Sequence, residues 1–219
     1  SLRHWNHYTI FCGYVTIMSR RSNMKKELDM IHIYENGQCI GYGGNQEWFL
    51  DDWAKKAGCA SVLASHLYTY YLSITQMSKS EFLEIMNQMF QRFTPGKMGY
   101  PFLYKFARTF CQMMQEKQVF LKPVYMKQPK SYWQAMKFIE KSIDEGNPVS
   151  LLILSHQAKE LEDDNWHWVC ITGYKHSCDG EWIVFSDCGI RREIDAHILF
   201  DINEKNVIKM VSMKKNPQN

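Results

Sequence analysis

Cys59 is the residue of this sequence best placed to act as a nucleophile. It follows Gly58, and between Cys59 and Ile74 apolar residues recur at three- and four-residue spacing, which predicts a helix that begins at the cysteine. The first N–H groups of a helix lack intrahelical partners and lie at the positive end of its dipole, so they favour a thiolate. The same groups can stabilise an oxyanion, and the expected chemistry is attack by Cys59 on a carbonyl carbon.

A base and a carboxylate are predicted on a hairpin later in the chain. Residues 167–174 and 181–187 have the composition of two strands and are joined by a polar loop over 175–180. Antiparallel pairing across that loop places His167 about opposite Cys188, with Asp187 next to it. A carboxylate there would fix the tautomer of the imidazole and stabilise its charged form.

Each of these three residues also has a purely structural explanation. A cysteine at a helix start is commonly a small core residue. A histidine between two tryptophans is commonly packed within a strand, and an aspartate at a strand end commonly forms a turn. The combination of a helix-start cysteine with a His–Asp hairpin about a hundred residues later favours catalysis.

Four segments occur in an order that points to a known family: GCASV at 58–62, IDEGNPV at 143–149, WHWVCITGY at 166–174 and FSDCG at 185–189. Together they resemble successive blocks of papain-like cysteine peptidases, with most likeness to the bacterial branch that includes bacteriocin-leader-processing peptidases. The ordered match spans roughly residues 45 to 190.

The resemblance implies an α+β, papain-like fold in which a helical part led by the Cys59 helix packs on an antiparallel sheet. It also implies that Cys59 attacks the carbonyl, His167 shuttles the proton and Asp187 orients His167. A glutamine upstream of the cysteine is expected to donate to the oxyanion hole. Neither a cofactor nor a metal is implied.

Two departures from the family pattern affect the site. Typical members carry the oxyanion glutamine where this chain has Trp53, and the nearest upstream glutamine is Gln46, so a helical insertion must bring Gln46 back to the cysteine. Asn45 is the alternative to Gln46. Ser186 is the alternative to Asp187 if the match to the family is shifted by one place.

The remaining elements give one domain over 1–219, divided into an N-terminal hairpin or accessory segment (1–44), a mainly helical part (45–145) and a mainly β part (146–213). An Asn36-Gly37 turn predicts a hairpin over 30–42, after a first strand over 7–17. Helices are predicted over 49–57, 59–74, from Ser78 or Ser80 to 93, over 102–118 and from 131 to 146, with strands over 119–126 and 149–154.

The composition of the chain indicates which classes of binding partner to expect. A net charge of +3 arises from 26 basic and 23 acidic residues mixed along the chain, which argues against nucleic-acid binding. No apolar run approaches the roughly eighteen residues of a membrane helix, and no signal pattern is present, so a membrane span is not expected. The seven cysteines are an odd number without a close pair, which favours reduced thiols and hence the cytoplasm, with the compartment left open.

Two further groups of residues suggest other kinds of site, a zinc site and a substrate-binding surface. Zinc could be held by His176, Cys178, Cys170 and Cys188, but structural zinc sites usually use close cysteine pairs. The acidic run 160–164 is either a solvated loop or one wall of a substrate cleft that favours basic peptides.

The sequence therefore predicts a cysteine peptidase that cleaves a peptide or protein substrate through a thioester. The alternatives are an acyltransferase or transglutaminase-like enzyme with the same triad, and an inactive peptide-binding module. Oligomeric state is left open.

Overall fold

In a computed structural model of the chain, residues 24–202 and 205–216 are described, so the strand predicted over 7–17 lies outside them. The strands are β1 (Met24–Glu27), β2 (His32–Glu35), β3 (Gln38–Tyr42), β4 (Gln76–Ser78), β5 (Leu121–Met126), β6 (Val149–Ser155), β7 (His167–Ser177), β8 (Gly180–Asp187), β9 (Ile190–Asp195) and β10 (Val207–Lys215). The helices are α1 (Asp52–Ala57), α2 (Cys59–Tyr71), α3 (Lys79–Arg92), α4 (Leu103–Glu116), α5 (Tyr132–Asp144) and α6 (Ala196–Leu199), with 3₁₀ helices at Gln46–Trp48 and Lys159–Asp164.

Helix starts follow the local sequence. Ser78 caps α3 in a capping box with Glu81, and Ser131 accepts a hydrogen bond from the N–H of Gln134 at the start of α5. The helix that begins at Cys59 ends at Tyr71 rather than at residue 74, because Ser73 adopts the left-handed backbone conformation (φ 58°).

The larger sheet has the strand order β5-β10-β6-β7-β8-β9, and β1 also pairs with β7. All of its neighbouring strands are antiparallel. The chain is therefore a mixed helical and sheet protein built on an antiparallel sheet, as the sequence predicts at that level.

Both faces of this sheet are covered, which explains the continuous apolar run at 149–154. Leu152 faces a core cluster formed with α2 and α4, whereas Leu151 and Ile153 face a second cluster formed with α5 and α6. The central strands are buried as predicted.

A smaller sheet of order β3-β2-β4 precedes the site. The hairpin predicted from Asn36-Gly37 is present, since β2 and β3 pair antiparallel and both turn residues have positive φ angles (51° and 78°). Ile33 and Phe82 belong to a third core cluster, which packs this sheet against α1 and α3.

The predicted hairpin loop over 175–180 is wrong. Strands β7 and β8 continue to the pair Ser177 and Gly180 and leave a two-residue turn. The predicted register is two residues off beside the turn, where Lys175 pairs with Trp182. It is one residue off beyond the bulge between Ile171 and Gly173, where Cys170 pairs with Ser186.

Within the described ranges, the helices are all too short or too polar to cross a lipid bilayer.

Candidate active site

Cys59 occupies the first position of α2, where the chain turns directly from one helix into the next. Gly58 ends α1 and also stands at the N-cap of α2, without a side-chain cap. A Cβ on Gly58 would lie 2.4 Å from the carbonyl oxygen of Ala54 and 2.7 Å from the ring of Phe49, so only glycine fits without a shift of the backbone. The glycine thus lets the free N–H groups of the helix start lie beside the thiol.

The imidazole of His167 lies between this thiol and a carboxylate. Nε2 of His167 is 2.6 Å from Oδ1 of Asp187, and Cys59 lines the same two cavities as that ring. With Nε2 engaged by Asp187, Nδ1 is the ring nitrogen left for Cys59. The structure therefore brings the three predicted residues together in the order sulfur, imidazole, carboxylate.

Arg192 completes the chain of contacts on the far side of Asp187. Its Nη1 donates to Oδ2 of Asp187 (2.6 Å), and its guanidinium also binds both oxygens of the buried Asp164 at 3.0 Å. Each oxygen of Asp187 thus has its own partner, which restricts rotation of the carboxylate.

These contacts determine the charges in the site. Burial alone would lower the pKa of His167, but hydrogen bonds with Asp187, Cys188 and Cys59 outweigh it and raise that pKa well above its usual value. Burial alone would raise the pKa of Asp187, but the hydrogen bond and charge of His167 and the hydrogen bond from Arg192 lower it. The site favours an imidazolium beside a carboxylate.

Gln46 lines the same cavities as the cysteine although it lies well upstream in the chain. It begins the first 3₁₀ helix, and α1 forms the helical insertion between Gln46 and Cys59 that the sequence requires. Gln46 and Cys59 line the same two cavities, and Oε1 of Gln46 is buried without a hydrogen-bond partner among the described residues. Trp53, where the resemblance to papain-like peptidases leads one to expect a glutamine, lines only the more open of these cavities.

The two alternative site residues have other contacts. Oδ1 of Asn45 accepts the N–H of Glu47 as the cap of the 3₁₀ helix. Ser186 donates its hydroxyl to the carbonyl oxygen of Tyr42 at 2.6 Å. Asp187 therefore contacts His167, and Gln46 lines both cavities of the Cys59 and His167 pair.

A buried histidine beside the site was not predicted. His66 lies two turns along α2 from Cys59, and its Nε2 accepts the N–H of Gly44 at 2.6 Å. Burial lowers the pKa of His66 to about 4, which keeps the ring neutral at neutral pH. This bond holds the segment that leads into Gln46, and the seven-residue spacing from Cys59 was the signal that could have identified His66.

The cysteines and histidines considered for zinc separate in the fold. His176 lies between the carboxylates of Glu181 (2.7 Å) and Glu140 (3.0 Å), and Cys178 is exposed at the β7–β8 turn. Among the described residues, the cluster whose ligand atoms lie within 4.8 Å of one another is His167, Asp187 and Cys188, which belongs to the site above. The predicted alternative set does not come together.

The acidic run before β7 is divided between two environments. Asp164 is buried against Arg192, whereas Asp163 is exposed and lines the outer cleft beside Cys59 and His167. Only one carboxylate of the run is thus placed to meet a substrate at this cleft.

No protein-family model matches this chain, and a search of curated proteins found no match.

Proposed function

We propose that the chain is a cysteine hydrolase of papain-like fold that cleaves peptide or related amide bonds through a thioester. The observation that carries the proposal is the connected set Cys59, His167, Asp187 and Arg192, with the sulfur at a helix start and the imidazole held by a buried carboxylate. A strand histidine can also be held by carboxylates for packing alone, as His176 is by Glu140 and Glu181. A thiol at a helix start in the same cavity as the imidazole is the feature that supports proton transfer.

The first half of the reaction follows from the positions of the groups. His167 holds the proton from the Cys59 thiol as an imidazolium, and the sulfur attacks the carbonyl carbon, forming a C–S bond and an oxyanion. The N–H of Cys59 and the amide of Gln46 are the donors available to that oxyanion. Collapse breaks the C–N bond, His167 protonates the leaving amine, and a thioester remains on Cys59.

The second half regenerates the enzyme. Water gives a proton to His167 and attacks the thioester carbonyl; collapse of this intermediate breaks the C–S bond, releasing a carboxylic acid and the sulfur of Cys59. An amine acceptor in place of water would give an amide instead, which is the acyltransferase alternative. Asp187 stays ionised throughout because His167 and Arg192 stabilise its charge.

The test is cleavage of a complex peptide mixture followed by mass spectrometry, with wild type compared with Cys59→Ala. We expect new termini with wild type and none with Cys59→Ala, whereas Cys178→Ala, which alters an exposed turn thiol, should retain full cleavage. Iodoacetamide near pH 6 should alkylate Cys59 faster than the exposed Cys178.

Two results would replace the proposal. Peptides whose new ends carry an added amine would assign the chain to the acyltransferases. An absence of cleavage, with Cys59 no more reactive than Cys178, would leave a peptide-binding module with an ordinary buried thiol.

A further inference from the structure

An open cleft leads from the surface to Cys59 and His167. Its volume is about 390 Å³, within the range of clefts that enclose small ligands or substrate side chains. Gln46 also lines it, so the cleft lies on the side of the cysteine where the oxyanion donors are. Whatever fills this cleft is held directly beside the scissile bond.

Three large apolar side chains line the cleft and are exposed: Trp53 (43 %), Met98 (62 %) and Trp166 (51 %). They come from three separate parts of the chain, namely α1, the turn at residues 96–99 and the residue before β7. Single exposed apolar residues are common, but three that converge on one cleft beside a nucleophile indicate a binding surface.

The position of Trp166 is imposed by its backbone. Trp166 has φ 60°, a left-handed conformation that is an outlier for a bulky side chain. Its neighbour Asn165 is fixed on both sides, because its side chain accepts the N–H of His156 at 2.6 Å and donates to the carbonyl oxygen of Glu162 at 3.0 Å. The strained backbone therefore presents the indole at the cleft instead of burying it.

The turn that carries Met98 is also fixed. Gly96 and Gly99 exchange two backbone hydrogen bonds of 2.9 Å, and Gly99 has a positive φ angle of 68°. Met98 lies at the tip of this closed turn. A thioether in such a position adapts its shape to different apolar partners at little cost.

The charges of the cleft do not favour a basic side chain. Its exposed charged residues are Lys56, Lys97 and Asp163, a balance of one positive charge. The idea that the acidic run makes this cleft attractive to basic peptides therefore loses its support. The apolar side chains are left as the main source of selectivity.

We infer that the cleft selects peptides with a large aromatic or aliphatic side chain next to the scissile bond, enclosed by Trp53, Met98 and Trp166. This inference rests on the proposed hydrolase function. Burial of one aromatic side chain against two indoles removes enough apolar surface from water to give a preference of at least tenfold over alanine.

The test uses a peptide library in which the two residues that flank the cleaved bond are varied, with cleavage rates read by mass spectrometry. We expect wild type to prefer Phe, Trp, Leu or Met over Ala, Lys and Arg by tenfold or more on one side of the bond. Trp166→Asn, which tolerates the left-handed backbone, and Trp53→Gln, which suits a helix, should each reduce that preference several-fold.

The matched control is Trp133→Gln, which removes an equally exposed tryptophan (62 %) on α5, an element that does not line the cleft. It should retain the wild-type preference. Alkylation of Cys59 by iodoacetamide, measured in every variant, reports whether the Cys59 and His167 pair is intact.

The outcomes separate this inference from the function on which it rests. Cleavage without an apolar preference, or a preference that both cleft variants retain, would overturn the inference and leave the hydrolase in place. A chain that cleaves no member of the library, with Cys59 no more reactive than an exposed thiol, would overturn both.

Discussion

At the scale of single residues, the chemistry depends on how strongly Asp187 stabilises the protonated form of His167. Both groups are largely buried, so each would prefer to be neutral if it stood alone. Their contact at 2.6 Å reverses both tendencies, and Arg192 adds a second hydrogen bond to the carboxylate. The charged pair therefore exists because each partner is present.

Removal of the charge at Asp187 should lower the pKa of His167. In Asp187→Asn, burial still disfavours the imidazolium and the carboxylate no longer compensates, so the ring loses its proton at lower pH. We expect the alkaline limit of peptide cleavage to move to lower pH and the maximal rate to fall about a hundredfold. A pH profile of cleavage from pH 5 to 10 measures both changes.

The control for this variant is Asp163→Asn, which removes an exposed carboxylate from the same cleft. It should retain the wild-type alkaline limit. An unchanged limit in Asp187→Asn as well would show that Asp187 does not control the protonation of His167.

His66 should make the protein less stable in acid. Its pKa is about 4 in the folded chain because of burial and about 6.5 when unfolded, so between these values the unfolded state binds the extra proton. This contribution is complete above pH 6.5 and is lost as the pH falls, by about 3 kcal/mol at pH 4 and below. Urea unfolding of wild type and His66→Gln between pH 4 and 8 should give a weaker pH dependence for the variant.

At pH 8 the ring of His66 is neutral in both the folded and the unfolded state. The difference in unfolding free energy between wild type and His66→Gln at that pH therefore reports packing and hydrogen bonding alone. Glutamine can still accept the N–H of Gly44, so we expect a loss of about 1 kcal/mol at that pH. Equal pH dependence in the two proteins would mean that His66 is accessible to protons in the folded state.

At the scale of elements, the direct turn from α1 into α2 sets the position of the nucleophile. Gly58→Ala should disturb it, because the new Cβ would lie 2.4 Å from a backbone oxygen of α1 and 2.7 Å from Phe49. We expect a loss of about 1–3 kcal/mol in unfolding free energy and a slower alkylation of Cys59. Thermal unfolding and iodoacetamide labelling measure the two effects.

Ser78→Ala provides the comparison at a different helix start. It removes a capping box remote from the thiol and should cost about 1 kcal/mol without a change in Cys59 alkylation. A Gly58→Ala protein with wild-type alkylation would mean that the helix start tolerates the shift.

The elements also show which parts of the site a sequence can predict. The start of α2 and the β7–β8 hairpin follow from local patterns, namely apolar spacing after Gly58 and alternation around the two strands, so Cys59, His167 and Asp187 could be placed near one another. The exact register could not be predicted, because it depends on the short turn after Ser177 and on the bulge at Ile171–Gly173, and the polar stretch 175–180 specifies neither. The contact of Arg192 with Asp164 joins β9 to the second 3₁₀ helix by tertiary packing and lies beyond any local pattern.

The papain-like fold itself stays a prediction, since only the mixed helical and antiparallel-sheet organisation is established. Gln46 illustrates the limit at this scale. Its place beside Cys59 depends on the length and direction of α1, which composition does not determine. The sequence could state only that an insertion was required.

At the scale of the whole molecule, the site lies between two layers, with the nucleophile on a helix and the base on the sheet. One core cluster joins them, and it contains Cys59, Trp168 and Phe106. Trp168 follows His167 in β7, stacks on Phe106 (ring centroids 4.7 Å apart) and donates its indole N–H to the carbonyl oxygen of Tyr100 at 2.7 Å. It therefore holds the helical layer against the strand that carries the base.

Weakening of this interlayer contact should affect chemistry more than an equal loss of stability elsewhere. Trp168→Phe removes the hydrogen bond to Tyr100 and part of the stack, at an expected cost of about 1–3 kcal/mol, and Ile139→Val trims the cluster on the opposite face of the sheet for about 1 kcal/mol. With both variants fully folded, Cys59 alkylation near pH 6 should slow in Trp168→Phe and keep its wild-type rate in Ile139→Val. Equal rates would mean that the helix and the sheet keep their spacing without Trp168, because other residues of the same cluster would then suffice to hold the sulfur against the ring.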